Sequence, residues 1–128
     1  MVRYVLNTPT DDDTLNELFD DAWPSHERLE FAPMLEASLV YVLAYDEDTL
    51  VGFIRVVACG TRRGFVLGPT VRTSAHHRGI GTALLNQAAE AAEKAGVKSL
   101  HVDFASHLRP FYAGAGFKHT ASGVRRLG

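Results

Sequence analysis

Residues 76–85 read His-His-Arg-Gly-Ile-Gly-Thr-Ala-Leu-Leu, with two glycines one residue apart at the opening of an amphipathic helix. The first turn of a helix carries N–H groups without an intrahelical acceptor, and the macrodipole adds partial positive charge there. Glycine lets the chain turn tightly and lets a bulky anion approach the backbone. His76, His77 and Arg78 add basic and imidazole side chains just ahead of Gly79, Ile80, Gly81 and Thr82. The stretch therefore reads as a cradle for a phosphate-bearing molecule.

The elements that must position this cradle follow from periodicity and turn chemistry. Residues 3–6 read as an opening strand, and Thr10 with the following aspartates resembles a capping box ahead of Leu15, Leu18 and Phe19. Trp23-Pro24 ends that first helix, because the residue before proline disfavours helical geometry. Residues 27–38 are helical in pattern but interrupted by Pro33, which predicts a short or broken second helix. Two β-rich runs, 41–45 and 50–57, flank a polar turn and predict a hairpin. Arg62, Arg63 and Gly64 predict a further turn, and the next strand begins at Phe65. Pro69 has no N–H for a ladder, so it demands a bulge or an unpaired edge just before the cradle.

The third helix runs from Gly79 to about Ala95, with Ile80, Leu84, Ala88, Ala91 and Ala95 as its apolar stripe and Gly96 as its stop. Residues 100–104 alternate like a strand. Pro110 suits a helix's first turn, and residues 117–120 and 124–127 leave room for two final short strands.

At 128 residues the chain is expected to form a single domain, residues 1–128. A net charge of -2 without a Lys/Arg run argues against a nucleic-acid partner. No segment is apolar over a bilayer's width and the N-terminus lacks a signal-peptide pattern, so no membrane partner is expected. Cys59 is the single cysteine, which suits a reducing, cytoplasmic setting. The histidine spacings match no zinc pattern, and no metal site is expected.

Three cradles compete for the glycine stretch. A Walker loop needs Gly-Lys-Ser/Thr, which is absent. A dinucleotide fingerprint needs a third glycine where Leu84 stands, and only Asp103 loosely fills its acidic position. The third option resembles the pyrophosphate motif of the GCN5-related N-acetyltransferase (GNAT) family, in which a strand ending in Val leads to Q/R-x-x-G-x-G/A and a helix. Here Val71, His76, Gly79 and Gly81 take those positions, with His76 departing from the usual Gln or Arg. A second stretch, Phe111-Tyr112-Ala113-Gly114-Ala115-Gly116-Phe117, resembles the family's F-Y-x-x-x-G-F signature, so the likeness spans residues 41–117.

The resemblance implies an α/β (α+β) acyl-CoA N-acyltransferase fold. Its sheet is mixed and mostly antiparallel, flanked by helices, with a splayed parallel pair at residues 65–71 and 100–104. It implies acetyl-CoA as co-substrate and a primary amine of a small molecule or peptide as acceptor, attacking the thioester directly. The Val71 N–H would polarise the acetyl carbonyl, and the N–H groups of His77 to Thr82 would hold the pyrophosphate with His76 beside them and the Thr82 hydroxyl as an extra donor. Tyr112 would protonate or hydrogen-bond the departing thiolate as general acid.

No Glu or His lies on residues 65–71, so the base stays open: His101, Asp103 as base or hydrogen-bonding residue, water, or none. Trp23, His26, Phe31 and Met34 are candidates for an acceptor wall or for core. The acidic N-terminal half favours a cationic amine, or is a solvated helix face. Little covers the C-terminal strand edge, which invites a homodimer. Beside the enzyme stand two alternatives, a catalytically weak acyl-CoA-binding sensor or scaffold of the same fold and a nucleotide-binding module.

Overall fold

The computed structural model describes residues 1–60 and 62–128. Five strands follow one another across a single sheet: β1 (Val2–Leu6), β2 (Val40–Asp46), β3 (Thr49–Cys59), β4 (Arg63–Val71) and β5 (Ser99–His101). The first three pairings are antiparallel and β4–β5 is parallel. A parallel pair needs a crossover, which α3 (Ile80–Lys94) supplies. On the other face lie α1 (Asp12–Ala22) and α2 (Phe31–Glu36), while α4 (Arg109–Gly114) follows β5.

Strand alternation divides the core in two. Val40, Val42 and Ala44 of β2 meet Ile80, Leu84, Leu85, Ala88 and Ala92 of α3. Tyr41 and Leu43 turn to the opposite side, with Leu50 and Phe53 of β3, Leu15, Leu18 and Phe19 of α1, and Phe31 of α2. Strands buried on both faces read as nearly continuous apolar runs, as β2 does and as β3 does on either side of Arg55. Phe53 touches the rings of Phe19, Phe31 and Tyr41 and underlies the β4 bulge at Gly68. Phe53→Ala should therefore cost about 3–5 kcal/mol of stability in denaturant unfolding.

The hairpin, the short second helix and the bulge fall where the sequence predicts them. Phe53 pairs with Thr70 but Arg55 with Leu67, so Ile54 faces both Gly68 and Pro69. Gly68 takes φ +63, a left-handed conformation that costs glycine little. At the end of α3, Gly96 N–H donates to Glu93 C=O and Val97 N–H to Ala92 C=O, the paired bonds of a Schellman stop.

Five expectations are corrected. The α1 cap is Asp11 rather than Thr10, because the Asp11 carboxylate reaches Thr14 N–H at 2.8 Å. Arg63 and Gly64 belong to β4, paired with Cys59 and Ala58, so the ladder extends past the predicted turn. The buried stripe of α3 also takes in Leu85 and Ala92, with Ala91 partly buried beside them and Ala95 exposed, since the helix must face both β2 and β3. The strand expected over 100–104 ends at His101, where pairing with β4 stops. Residues 117–128 form no strands, so the open sheet edge belongs to β5.

Candidate active site

The parallel pair joins only Arg63 with Ser99, Gly64 with Leu100 and Phe65 with His101. From Leu67 onward β4 has no partner on that side, and the two segments part. The opening is a cavity of about 1240 Å³, lined by residues 65–69 of β4 and 99–104 beyond it, with Ala115, Phe117 and residues 118–122 closing its outer side. The bulge and the short β5 together are the cause of the gap. One bends β4 away, and the other withdraws the groups that would continue the ladder.

At the end of β4, Arg72 N–H donates to Val51 C=O at 2.8 Å. Strand groups alternate sides, so the Val71 N–H and C=O point away from β3, toward the opening. The C=O is taken by His76 Nε2–H at 3.0 Å, because a carbonyl can only accept. The Val71 N–H remains available beside the gap.

The chain then turns into α3 through two residues at positive φ, His77 at +65 and Gly79 at +76. Gly79 is the N-cap and offers no side chain to the first turn. Among the described residues, the N–H groups of His77, Arg78, Gly79, Ile80, Gly81 and Thr82 donate to no protein acceptor; the first intrahelical bond is Ala83 N–H to Gly79 C=O. Six successive free donors at a helix start form an anion site. The Ile80 side chain is buried and anchors the turn, while Thr82 is exposed. The loop 76–82 lies on open surface beyond the cavity lining.

Two basic side chains are engaged elsewhere. Arg78 pairs with Asp46 at 2.9 Å, and that guanidinium holds the Asp46 carboxyl below the usual carboxylate range. His76 braces the loop against β4 instead of facing solvent freely. The cradle is therefore mostly main chain. His76→Ala is expected to weaken acetyl-CoA binding less than about tenfold in calorimetry, the worth of one hydrogen bond.

Tyr112 of α4 is 4% exposed. Its ring stacks on Phe104 at 4.5 Å and meets Phe111 and Phe117 edge-on. Burial pushes its phenol above the ordinary value, so it is protonated at neutral pH. Phe111 reaches further. A side chain at Gly81 would lie 3.3 Å from the Phe111 ring and 3.9 Å from Val71, so α4, the cradle and the end of β4 converge there. The sequence gives Phe111 no role beyond its place in the aromatic pair of the second motif.

Asp103 lies past the end of β5, exposed, and accepts from Ser122 Oγ at 3.4 Å. His101 stacks on Phe65 and sits 3.2 Å from Ser99 Oγ. Both line the cavity. Neither is joined to Tyr112 by a hydrogen bond.

Of the acceptor-wall candidates, Phe31 is core and Met34 packs against it. Trp23 is 48% exposed, yet its Nε1–H donates to Thr70 Oγ1 at 3.0 Å, and Thr70 Oγ1 in turn donates to Gly68 C=O. This relay ties α1 to the bulge. Asp21 clamps the same corner, accepting from Thr73 N–H at 2.7 Å, a bond that holds its carboxyl below the usual range. That lowered value means the clamp is intact at neutral pH and weakens only as pH falls through it.

Much of the acidic character of this half is structural. Asp11 caps α1, Asp12 accepts from Phe31 N–H, Asp13 pairs with Arg28, and Glu17 grips Arg72. Among the described residues, no group of three or more His, Cys, Asp or Glu is placed to hold a metal, and no helix is long and apolar enough to cross a membrane.

The fold is shared with solved acetyltransferases. A GNAT family acetyltransferase from Streptococcus pneumoniae TIGR4 aligns at 25% identity with a TM-score of 0.83, over 100% of this chain and 98% of that one. An acetyltransferase from Trypanosoma brucei aligns at 20% identity and 0.80, over 99% of each chain. The aminoglycoside acetyltransferase AAC(6')-Iy, solved with the bisubstrate analogue CoA-S-monomethyl-acetylneamine, aligns at 15% and 0.77, over 100% and 98%. No curated protein matches the chain. Residues 10–117, from the residue before the α1 cap to the end of the second motif, match the acetyltransferase (GNAT) family model, and this chain belongs to that family.

Proposed function

We propose that the chain, acting as one domain over residues 1–128, transfers the acetyl group of acetyl-CoA to a primary amine of a small molecule or peptide by direct attack. The observation that carries this is the run of six free N–H groups, His77 to Thr82, beside a strand whose partner leaves it after three pairs. A diphosphate needs many convergent donors and an extended pantetheine arm needs unpaired strand backbone, and here the two adjoin. The bisubstrate analogue bound by AAC(6')-Iy joins CoA to an amine-bearing acceptor, the same pairing of substrates.

In this reading CoA's diphosphate rests on the N–H groups of His77, Arg78, Gly79, Ile80, Gly81 and Thr82, with His76 bracing the turn. The Val71 N–H faces the acetyl oxygen and stabilises the tetrahedral oxyanion formed by amine attack. Tyr112 stands by the departing sulfur. A phenol ionises at about 10, so it is no stronger an acid than CoA's alkyl thiol. Burial raises that phenol further, so Tyr112 acts as a hydrogen-bond donor to the thiolate. Asp103 serves as a hydrogen-bonding residue of the cleft.

Calorimetry with acetyl-CoA, followed by a thiol-release screen against polyamines, aminoglycosides and peptide amines, tests the proposal. Binding with turnover of at least one amine is the expected result. Failure to bind acetyl-CoA overturns it, and tight binding without turnover of any amine would leave an acyl-CoA sensor of the same fold.

A further inference from the structure

We propose that His26 is the base that takes the ammonium proton from the incoming amine, with Asn16 as the residue that positions it; this rests on the acetyl-transfer reading above. β4 carries neither Glu nor His, so a side-chain base has to be sought on another element. Most alternatives near the opening are committed: His76 to Val71 C=O, Asp21 to Thr73, Glu17 to Arg72, and His101 to Phe65 and Ser99.

Asn16 is 4% exposed and fully used. Its Nδ2 donates to Asp12 C=O at 2.8 Å and Leu29 C=O at 2.9 Å, and its Oδ1 accepts from Leu29 N–H at 2.9 Å. With both amide protons spent, Oδ1 can only accept from His26 Nε2, 2.8 Å away. The His26 proton is thereby fixed on Nε2, and the neutral ring presents Nδ1 as its free lone pair. A buried amide that holds an imidazole in one tautomer is what a proton acceptor needs and what a merely packed histidine does not.

The position suits the role. The His26 ring lies against Phe19 at 5.4 Å between centroids, and Phe19 Cζ is 3.7 Å from where a side chain on Gly68 would sit. His26 N–H also donates to Trp23 C=O, and the Trp23 indole bonds Thr70 beside the bulge. The imidazole thus stands one aromatic ring from the point where β4 opens, partly exposed, on the face opposite α3. From α1 it is faced by Asn16 and Phe19, and from its own loop by Trp23. Among the described residues no carboxylate or cation is paired or bonded to it.

An alkylammonium ionises at about 10.4, as lysine does, so at neutral pH nearly all acceptor lacks the lone pair that attack requires. His26 Nδ1 takes one ammonium proton and later returns it to solvent. The amine nitrogen then bonds to the thioester carbon, and the C–S bond breaks as the nitrogen's surplus proton leaves to solvent. The thiolate takes a proton from solvent, so the turnover yields amide, free CoA thiol and one net proton.

The test compares wild type with His26→Gln, which keeps an N–H for Asn16 Oδ1, and with His26→Ala. Two acceptors are used: an alkylamine taken from the screen and methoxyamine, which is unprotonated at assay pH. His26→Gln should lower kcat/KM for the alkylamine about 10²-fold while leaving KM for acetyl-CoA unchanged. It should affect methoxyamine far less, and added imidazole should restore part of the His26→Ala activity. Equal losses with both amines, or no loss with the alkylamine in His26→Gln, overturn the inference alone. A wild type inactive toward every amine overturns the acetyl-transfer reading and this inference with it.

Discussion

Thr82→Glu is expected to raise the melting temperature by a degree or two while weakening acetyl-CoA binding at least about a hundredfold. Thr82 is exposed in the first turn of α3, where the helix has no acidic residue. A carboxylate there complements the macrodipole and is worth about 0.3–1 kcal/mol of stability. The same charge would stand about 5 Å from a bound diphosphate, at a cost of about 3 kcal/mol per unit charge for an effective dielectric of 20. Each 1.4 kcal/mol is a tenfold change in affinity. Opposite signs for folding and binding separate a lost ligand site from a damaged fold. Thr82→Gln, neutral and similar in size, should leave both quantities nearly unchanged. Thermal scans and calorimetry on the two variants check this, and a glutamate variant that binds as wild type would remove the cradle.

Tyr112→Phe should lower kcat about a hundredfold and leave acetyl-CoA affinity and stability close to wild type. Phenylalanine preserves the stack on Phe104 and the edge contacts with Phe111 and Phe117, which are what the ring contributes to the core. Only the hydroxyl is lost, and among the described residues no protein group bonds to it. The loss should therefore appear in C–S cleavage and shrink with thioesters whose thiols leave more readily. Because burial raises the Tyr112 phenol, its alkaline effect belongs above pH 10. Any stability linked to it is intact below that value and declines as pH climbs through the raised one. A Phe variant with undiminished kcat would assign Tyr112 to packing alone.

Local chemistry was legible without a structure. The 3.6-residue period and Gly96 marked α3, the polar turn between two β-rich runs marked the hairpin, and the missing N–H of Pro69 demanded a bulge. Each is a property of neighbouring residues, decided by backbone sterics and hydrogen-bond supply within a few positions. The order of the two motifs likewise carried the family, because it reflects elements that must follow one another along the chain.

What residues far apart in sequence decided was out of reach. The alternation of residues 100–104 fits a strand, yet β5 ends at His101 because pairing depends on where β4 has bent. Arg78 reads as a spare cation until Asp46, thirty-two positions earlier, meets it at 2.9 Å. His26 reads equally as acceptor wall or as core until Asn16 Oδ1 meets its Nε2 at 2.8 Å. Sequence alone determined which donors and acceptors the chain owns and which short elements hold them. The tertiary structure decided which of those groups are already satisfied, since a hydrogen bond depends on separations of about 3 Å that no spacing along the chain encodes.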